Sequence, residues 1–330
     1  MFNLYRDIHM KKTLVALAVL AASGASFAQA TITGTYAFGY ASTTGGGVAA
    51  SSGLGTDTAD INFAASENLG GGMTASAKMG ISGAQRGGAV TGNSASVGIK
   101  SASFGLTLGT VESANGLLAI GSSGAAGYGM DGKAISGSAN IDLLSLSIPM
   151  SSALTMGATY VDRGVAGVGL GLGTVGTADN QPSVGISLTY AAGALAAKGD
   201  YTSWTRLNDA LVASNVNKSR IRLSAGYDMG VARLSAGYSN LTRDSVANGT
   251  VTETLLGVKV PMGAVTLGLD YAMGTASGND DTSGYSLGVG YDLSKRTNVG
   301  ASVANWKQRT GLVAAAESQQ AFRVLVAHSF

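Results

Sequence analysis

The 330-residue chain has no cysteine, two histidines and three prolines, and only 12% of it is charged, about half the usual ~25%. Without cysteine there is no disulfide and no thiolate metal site, and the lack is compatible with an oxidising compartment without proving one. Of the histidines, His9 precedes the mature protein inferred below, and His328 stands alone near the C-terminus. One imidazole makes neither a zinc ligand set nor a Ser-His hydrolase, so neither a catalytic residue of that kind nor a zinc site is expected. Gly167, Gly169, Gly171 and Gly173 lack the strand-to-helix setting of a dinucleotide loop. Asn279-Asp280-Asp281 lacks the spaced acids of a calcium loop, so both segments read as solvated loop.

Beyond residue 30 the chain also lacks the ~20-residue apolar run that a transmembrane helix requires. What it has in abundance is glycine, 50 residues, about twice the usual ~7%. With 45% hydrophobic residues and so little charge, the chain is too apolar for a disordered protein and too poor in charge for an ordinary soluble domain.

The N-terminus reads as an address. From Met10, the basic pair Lys11-Lys12 precedes an apolar stretch from Leu14 to Ala22 and the small-residue ending Ser26-Phe27-Ala28. This is the order of a secretory signal peptide, with cleavage expected after Ala28 or, alternatively, Ala30. Residues 1–9 read as extra sequence ahead of the true start, so residues 1–28 are assigned to an extension plus cleaved signal and 29–330 to one mature domain. Removal of Arg6, Lys11, Lys12 and Asp7 leaves 18 basic and 18 acidic residues of the original 21 and 19. A mature chain without formal net charge or a clustered basic stripe is not a nucleic-acid binder.

Along the mature chain, apolar residues alternate with small or polar ones. Met73, Ala75, Ala77, Met79 and Ile81 alternate with Thr74, Ser76, Lys78 and Gly80, and Val265, Leu267, Leu269, Tyr271 and Met273 alternate with Thr266, Gly268, Asp270 and Ala272. A period of two is that of a two-faced β-strand. Tight turns near 68–72, 191–193, 228–230, 261–263 and 292–295 alternate with long Gly/Ser/Thr/Asn-rich connections near 42–56, 83–93, 112–133, 164–181, 206–218, 242–250, 275–283 and 308–320. This predicts an all-β protein: a transmembrane antiparallel barrel of about sixteen strands, with short periplasmic turns and long external loops. Tyr40, Tyr160, Tyr190, Tyr201, Tyr227, Tyr238, Tyr271 and Tyr291 lie near strand ends and suit aromatic girdles. The competing reading is a secreted β protein such as an adhesin, whose apolar faces would meet in a core.

Several motifs are similar to those of the Gram-negative general porins of betaproteobacterial type. They are Ser66-Glu67-Asn68-Leu69-Gly70-Gly71-Gly72, the hairpin Val97-Gly98-Ile99-Lys100 with Phe104-Gly105-Leu106-Thr107-Leu108-Gly109, the turn Tyr291-Asp292-Leu293-Ser294-Lys295, and the ending Val326-Ala327-His328-Ser329-Phe330. The resemblance implies a sixteen-stranded barrel in the outer membrane, usually a homotrimer, with its third external loop folded into the pore. It also implies passive diffusion of ions and small hydrophilic solutes, no cofactor, and His328 and Phe330 within a C-terminal signal for the outer-membrane assembly machinery. Thr110 and Ala327 stand where the family usually carries arginine, and residues 112–133 lack its Pro-Glu-Phe-Gly-Gly-like segment.

A pore selects by width and by the charges at its narrowest part. Alternation puts Lys78, Lys100, Arg220, Arg222, Arg233 and Lys259 on the lumen face, with Asp60 and Asp200 among the opposing acids. Glu112 and Asp131 flank the expected constriction loop, and the expectation is that Lys78 and Lys100 face them across the narrow zone. Inward bases outnumber inward acids, which leans towards anions. A substrate-selective channel of the same fold and a non-transporting surface barrel or adhesin remain as alternatives.

Overall fold

The protein is described by a computed structural model covering residues 29–46, 49–83, 85, 88–113, 115–137, 139–162, 181–205, 216–244, 249–277, 281–307 and 318–330. The expected signal segment 1–28, the glycines at 167–173 and Asn279-Asp280 lie outside the described residues.

The strands in chain order are β1 (Gln29–Gly45), β2 (Ser51–Gly70), β3 (Met73–Ser82), β4 (Thr91–Lys100), β5 (Gly105–Ser113), β6 (Ala139–Pro149), β7 (Leu154–Asp162) and β8 (Ser183–Ala192). They continue as β9 (Leu195–Trp204), β10 (Val216–Asp228), β11 (Arg233–Asp244), β12 (Thr250–Met262), β13 (Val265–Ala276), β14 (Thr282–Asp292), β15 (Thr297–Lys307) and β16 (Ser318–Ser329). Each pairs with its neighbours in the chain, and β16 pairs antiparallel with β1, from Thr35 opposite Ser329 to Gly45 opposite Gln319. The closed barrel leaves no strand edge unpaired, which a lipid environment demands.

Burial is inverted relative to a soluble protein. On β14, Ser286 is fully buried while Leu287 is 49% exposed, and on β13 Asp270 is buried while Leu269 and Tyr271 are exposed. Apolar residues therefore point outward along the whole wall, the arrangement of a barrel whose outer solvent is lipid. This excludes the soluble adhesin, where the same residues would meet in a core. The tyrosines at 40, 160, 190, 201, 227, 238, 271 and 291 are all exposed on this outer face.

Several connections are shorter than composition suggests. β1 runs through Gly45 and β2 begins at Ser51, although 42–56 reads as loop; β5 runs through Ser113, β10 begins at Val216 and β16 at Ser318. Gly, Ser and Thr look loop-like in isolation, but in a closed sheet the neighbouring strands supply each backbone group with a partner and hold them in the ladder. At the tight turns local chemistry decides: Asp228 Oδ1 accepts from Gly230 N at 2.8 Å, and Gly230 has φ 82°, which favours glycine.

A cluster of buried apolar residues lies inside the barrel. Leu117, Met130, Ala134 and Ile135, from the connection between β5 and β6, pack on Leu255, Ala272, Ala304, Trp306 and Ala321 of the inner wall. That connection is the element that defines the site.

Candidate functional site

Residues 115–137 fold into the lumen and carry one short helix, α1 (Leu118–Gly121). The wall they meet is built for contact with backbone. Gly268 and Gly288 stand opposite each other on β13 and β14, and a Cβ at Gly268 would lie 2.2 Å from the carbonyl carbon of Ala125. One at Gly288 would meet Ala125 O at 2.6 Å, and one at Gly257 would meet Ser123 N at 2.4 Å. Only glycine lets the loop backbone come this near.

Polar anchors complete the seat. Ser123 N donates to Asp270 Oδ1 at 2.5 Å and Tyr128 N to Ser286 Oγ at 3.2 Å, while Ser286 Oγ donates to Ala126 O at 2.6 Å. Thr282 Oγ1 donates to Ala134 O at 2.7 Å. Glu253, buried on β12, accepts from Ser136 N at 2.8 Å, from Ser136 Oγ at 3.0 Å and from Asn115 Nδ2 at 3.4 Å. A buried carboxylate is tolerable only when hydrogen-bonded in this way. Two acids of the inner wall are thus taken up by the loop rather than by the water in the pore.

The loop's middle section is held by cations. Arg323 of β16 donates from Nη1 to Asp57 Oδ1 at 2.6 Å, from Nε to Ser302 Oγ at 3.3 Å and from Nη2 to Gly127 O. Its guanidinium lies 4.4 Å from the Tyr128 ring centroid. Asp57 reaches this cluster through a bulge in β2, where Thr58 pairs with Ala37 and Thr56 with Phe38. Lys133 Nζ donates to Gly129 O at 2.9 Å and lies 5.6 Å from the Trp306 ring. Burial pulls the Lys133 ammonium below the ordinary lysine range; the nearby Asp131 carboxylate opposes this and Arg323 adds to it.

Arg220, Arg222 and Arg233 are on the inner face of β10 and β11, beside the first half of the loop. Arg222 Nε contacts Asp200 Oδ1 at 3.0 Å, and a Cβ on Gly116 would meet the Arg222 guanidinium at 2.4 Å. Arg220 lies 5.3 Å from the Trp204 ring, and Arg233 Nη2 donates to Ile120 O at 3.2 Å. Lys259 is opposite Arg233 in the ladder, and Lys198 of β9 faces inward beside Asp200.

The four expected partners across the pore do not form one group. Lys78 is in the inward register, opposite Ala64 and Ser96, as is Asp60 opposite Thr35. Lys100 shares the inward parity but pairs with Thr74, four positions from Lys78 and beside the short turn after β4, roughly 13 Å away along the strand. Asp131 is in the inward loop, next to Lys133. Glu112 is different: it belongs to β5 and shares the parity of Leu106 and Leu108, which places it on the outer face opposite Asn140. The side-chain period of two forbids Glu112 and an inward position such as Thr107 from facing the same way. Asp142 and Asp162, paired with one another, share this outward parity. Arg323, Asp57 and the glycine row were not singled out from sequence. Arg323 alternates with Phe322 and Val324, so its inward direction was readable; the bulge that redirects Asp57 was not.

At the C-terminus, His328 is on the outer face and its Nδ1 lies 2.9 Å from Thr297 Oγ1. Phe330 exchanges backbone hydrogen bonds with Gly34, both at 3.1 Å. These bonds tie the last residue of the chain to β1.

No curated protein matches the chain in sequence. Solved structures share the fold. An anion-selective porin from Comamonas acidovorans is 22% identical with a TM-score of 0.71, covering 92% of this chain and 100% of its own. The trimer form of OmpT from Vibrio cholerae is 14% identical with a TM-score of 0.66, covering 92% and 99%. A mutant of the Rh. blastica porin is 16% identical with a TM-score of 0.64, covering 92% and 100%. The family model described as Gram-negative porin matches residues 13–311. With its closed sixteen-stranded wall, its inverted burial and its inward loop, this chain belongs to the Gram-negative porins and is an outer-membrane diffusion channel.

Proposed function

We propose that the channel prefers anions among the small hydrophilic solutes it passes. The observation that carries this is the sorting of charge in a mature chain of no net charge. Glu253 and Asp270 are buried under the loop, and Glu67, Glu112, Asp142 and Asp162 fall on the outward parity of β2, β5, β6 and β7. The bases Lys78, Lys198, Arg220, Arg222, Arg233 and Lys259 fall on the inward parity. Asp200 and Asp57 face inward too, each against an arginine, and Asp60 and Asp131 are inward as well, so the inward bases still outnumber the inward acids that no base pairs. Low-dielectric walls amplify such an excess at a constriction. The similar fold named as an anion-selective porin agrees with this reading. In planar bilayers under a salt gradient, the reversal potential should take the anion-selective sign; a cation-selective sign would sink the proposal.

We further infer a homotrimer, built through the face of β2 to β6. Tyrosine is absent from these strands, and small outward side chains at Ala65, Ala75, Ala77 and Ala95 stand on a face that also bears Glu67, Glu112 and Asp142. Outward carboxylates among small residues suit a protein neighbour better than lipid, and the similar OmpT structure is a trimer form. Native mass measurement in mild detergent should give three chains, and a single-chain mass would refute it. The signal segment 1–28 is inferred to be removed on export, which intact-mass measurement of the mature protein tests directly. Phe330 and His328 are inferred to present the C-terminal strand to the assembly machinery. The chain acts as a channel rather than an enzyme, and no cofactor is assigned to it.

A further inference from the structure

The outer wall has a recess that diffusion through the pore does not use. Ala197 of β9 is directly opposite Ala225 of β10, which is directly opposite Ala236 of β11. Three small side chains therefore form one row across three strands. Tyr190 closes the row at one end and Leu256 at the other. The row towards the short turns is bulky, with Leu195, Tyr227 and Leu234. The row towards the loops has Leu188, Leu223 and Tyr238, interrupted at Gly199. The result is a trough of ≈ 690 Å³. Its floor spans three strands at about 4.8 Å spacing, so it is roughly 10–15 Å long and one residue row wide.

We propose that this trough holds one acyl chain of a phospholipid as a resident, slowly exchanging ligand. The proposal rests on the outer-membrane porin reading. The one charged residue lining the trough, Lys198, has the inward register, whereas the outward parity of β2, β5, β6 and β7 carries Glu67, Glu112, Asp142 and Asp162. A protein partner has carboxylates to pair with on that second face and none here. Tyr190 and Tyr238 line the trough with their rings. On the outer wall of a barrel such an apolar recess meets hydrocarbon rather than water. Ala225 and Ala236 are three residues from Asp228 and Arg233 at the short-turn end. That end faces the periplasm, where the leaflet is phospholipid.

The test is native mass spectrometry of the intact purified protein after incubation with phosphatidylethanolamine. The unaltered protein should keep one phospholipid per chain under collisional activation that strips all others. Ala225→Leu combined with Ala236→Leu should lose that retained lipid, and Val289→Leu, outward on β14 and away from the trough, should keep it. Equal retention in the filled and unaltered proteins would overturn the proposal. So would a change in the number of chains when the trough is filled, which would make it a contact between copies. Bilayer currents recorded on the same proteins separate the two readings: unchanged conductance with lost lipid supports the trough, and a protein that passes no current at all removes the porin reading instead.

Discussion

The two halves of the lumen wall follow the same alternation and do opposite things. On β11 to β16 the inward positions include Gly237, Gly257, Gly268 and Gly288 with Ser286, Ala272 and Ala304, and the wall is covered by the loop. On β2 to β10 the inward positions include Asn62, Lys78, Ser187, Lys198, Arg220 and Arg222, and apart from the contact of Arg222 with Gly116 this wall is left open to the pore. Alternation decides which residues point inward; side-chain size decides whether protein or water meets them. Where a strand offers glycine, the loop backbone packs on the wall itself; where it offers a long base, the loop meets the side chain instead, as Ile120 O meets Arg233 and Gly116 meets Arg222.

The contrast should break most completely where a side chain is added to the glycine seat. Gly268→Leu with Gly288→Leu collides with the backbone of Ala125 and Ala126, an overpacking cost of about 1–3 kcal/mol per site. The loop should lift from the wall, and single-channel conductance should rise while heat-modifiable folding on gels is retained.

A smaller effect is expected from Glu253→Ala. It removes the acceptor for Ser136 and Asn115 and leaves buried donors without it, at about 1–3 kcal/mol. Open-channel noise should increase, because the second half of the loop is less firmly held, with little change in ion preference.

The wet half responds in selectivity instead. Arg220→Gln with Arg222→Gln should shift the reversal potential towards neutrality, with fold stability less affected than by the glycine pair. The smallest effect should come from Lys100→Gln. Beside the short turn after β4, it should move the reversal potential less than Lys78→Gln does, and the reverse ranking would place the narrow zone elsewhere.

The fold was legible because alternation is a local signal. The run from Val265 to Met273 declares two faces without reference to any other part of the chain, and the outward residues in it are the exposed ones. The loop's seat was not legible, because its contacts join distant segments: Ser123 meets Asp270 and Tyr128 meets Ser286. Nothing around Gly268 marks it as the place where Ala125 will lie. Glu112 teaches a narrower lesson. Its place beside a Gly-rich stretch suggested a loop residue, but it is four positions from Leu108 in the same strand and therefore shares its outward parity. Asp57 shows the opposite case, where a bulge overrides parity and sends an acid to Arg323.

Because the chain has no cysteine, single engineered thiols can report directly on whether one half of the lumen is dry and the other wet. The decisive measurement is the rate at which a water-soluble, charged thiol reagent modifies Ala272→Cys on β13 and Ser187→Cys on β8, read as current block in a planar bilayer. Rapid reaction at 187 and protection at 272 is the predicted result. Equal, rapid reaction at both positions would mean that the loop does not cover the β11 to β16 wall and would contradict the account.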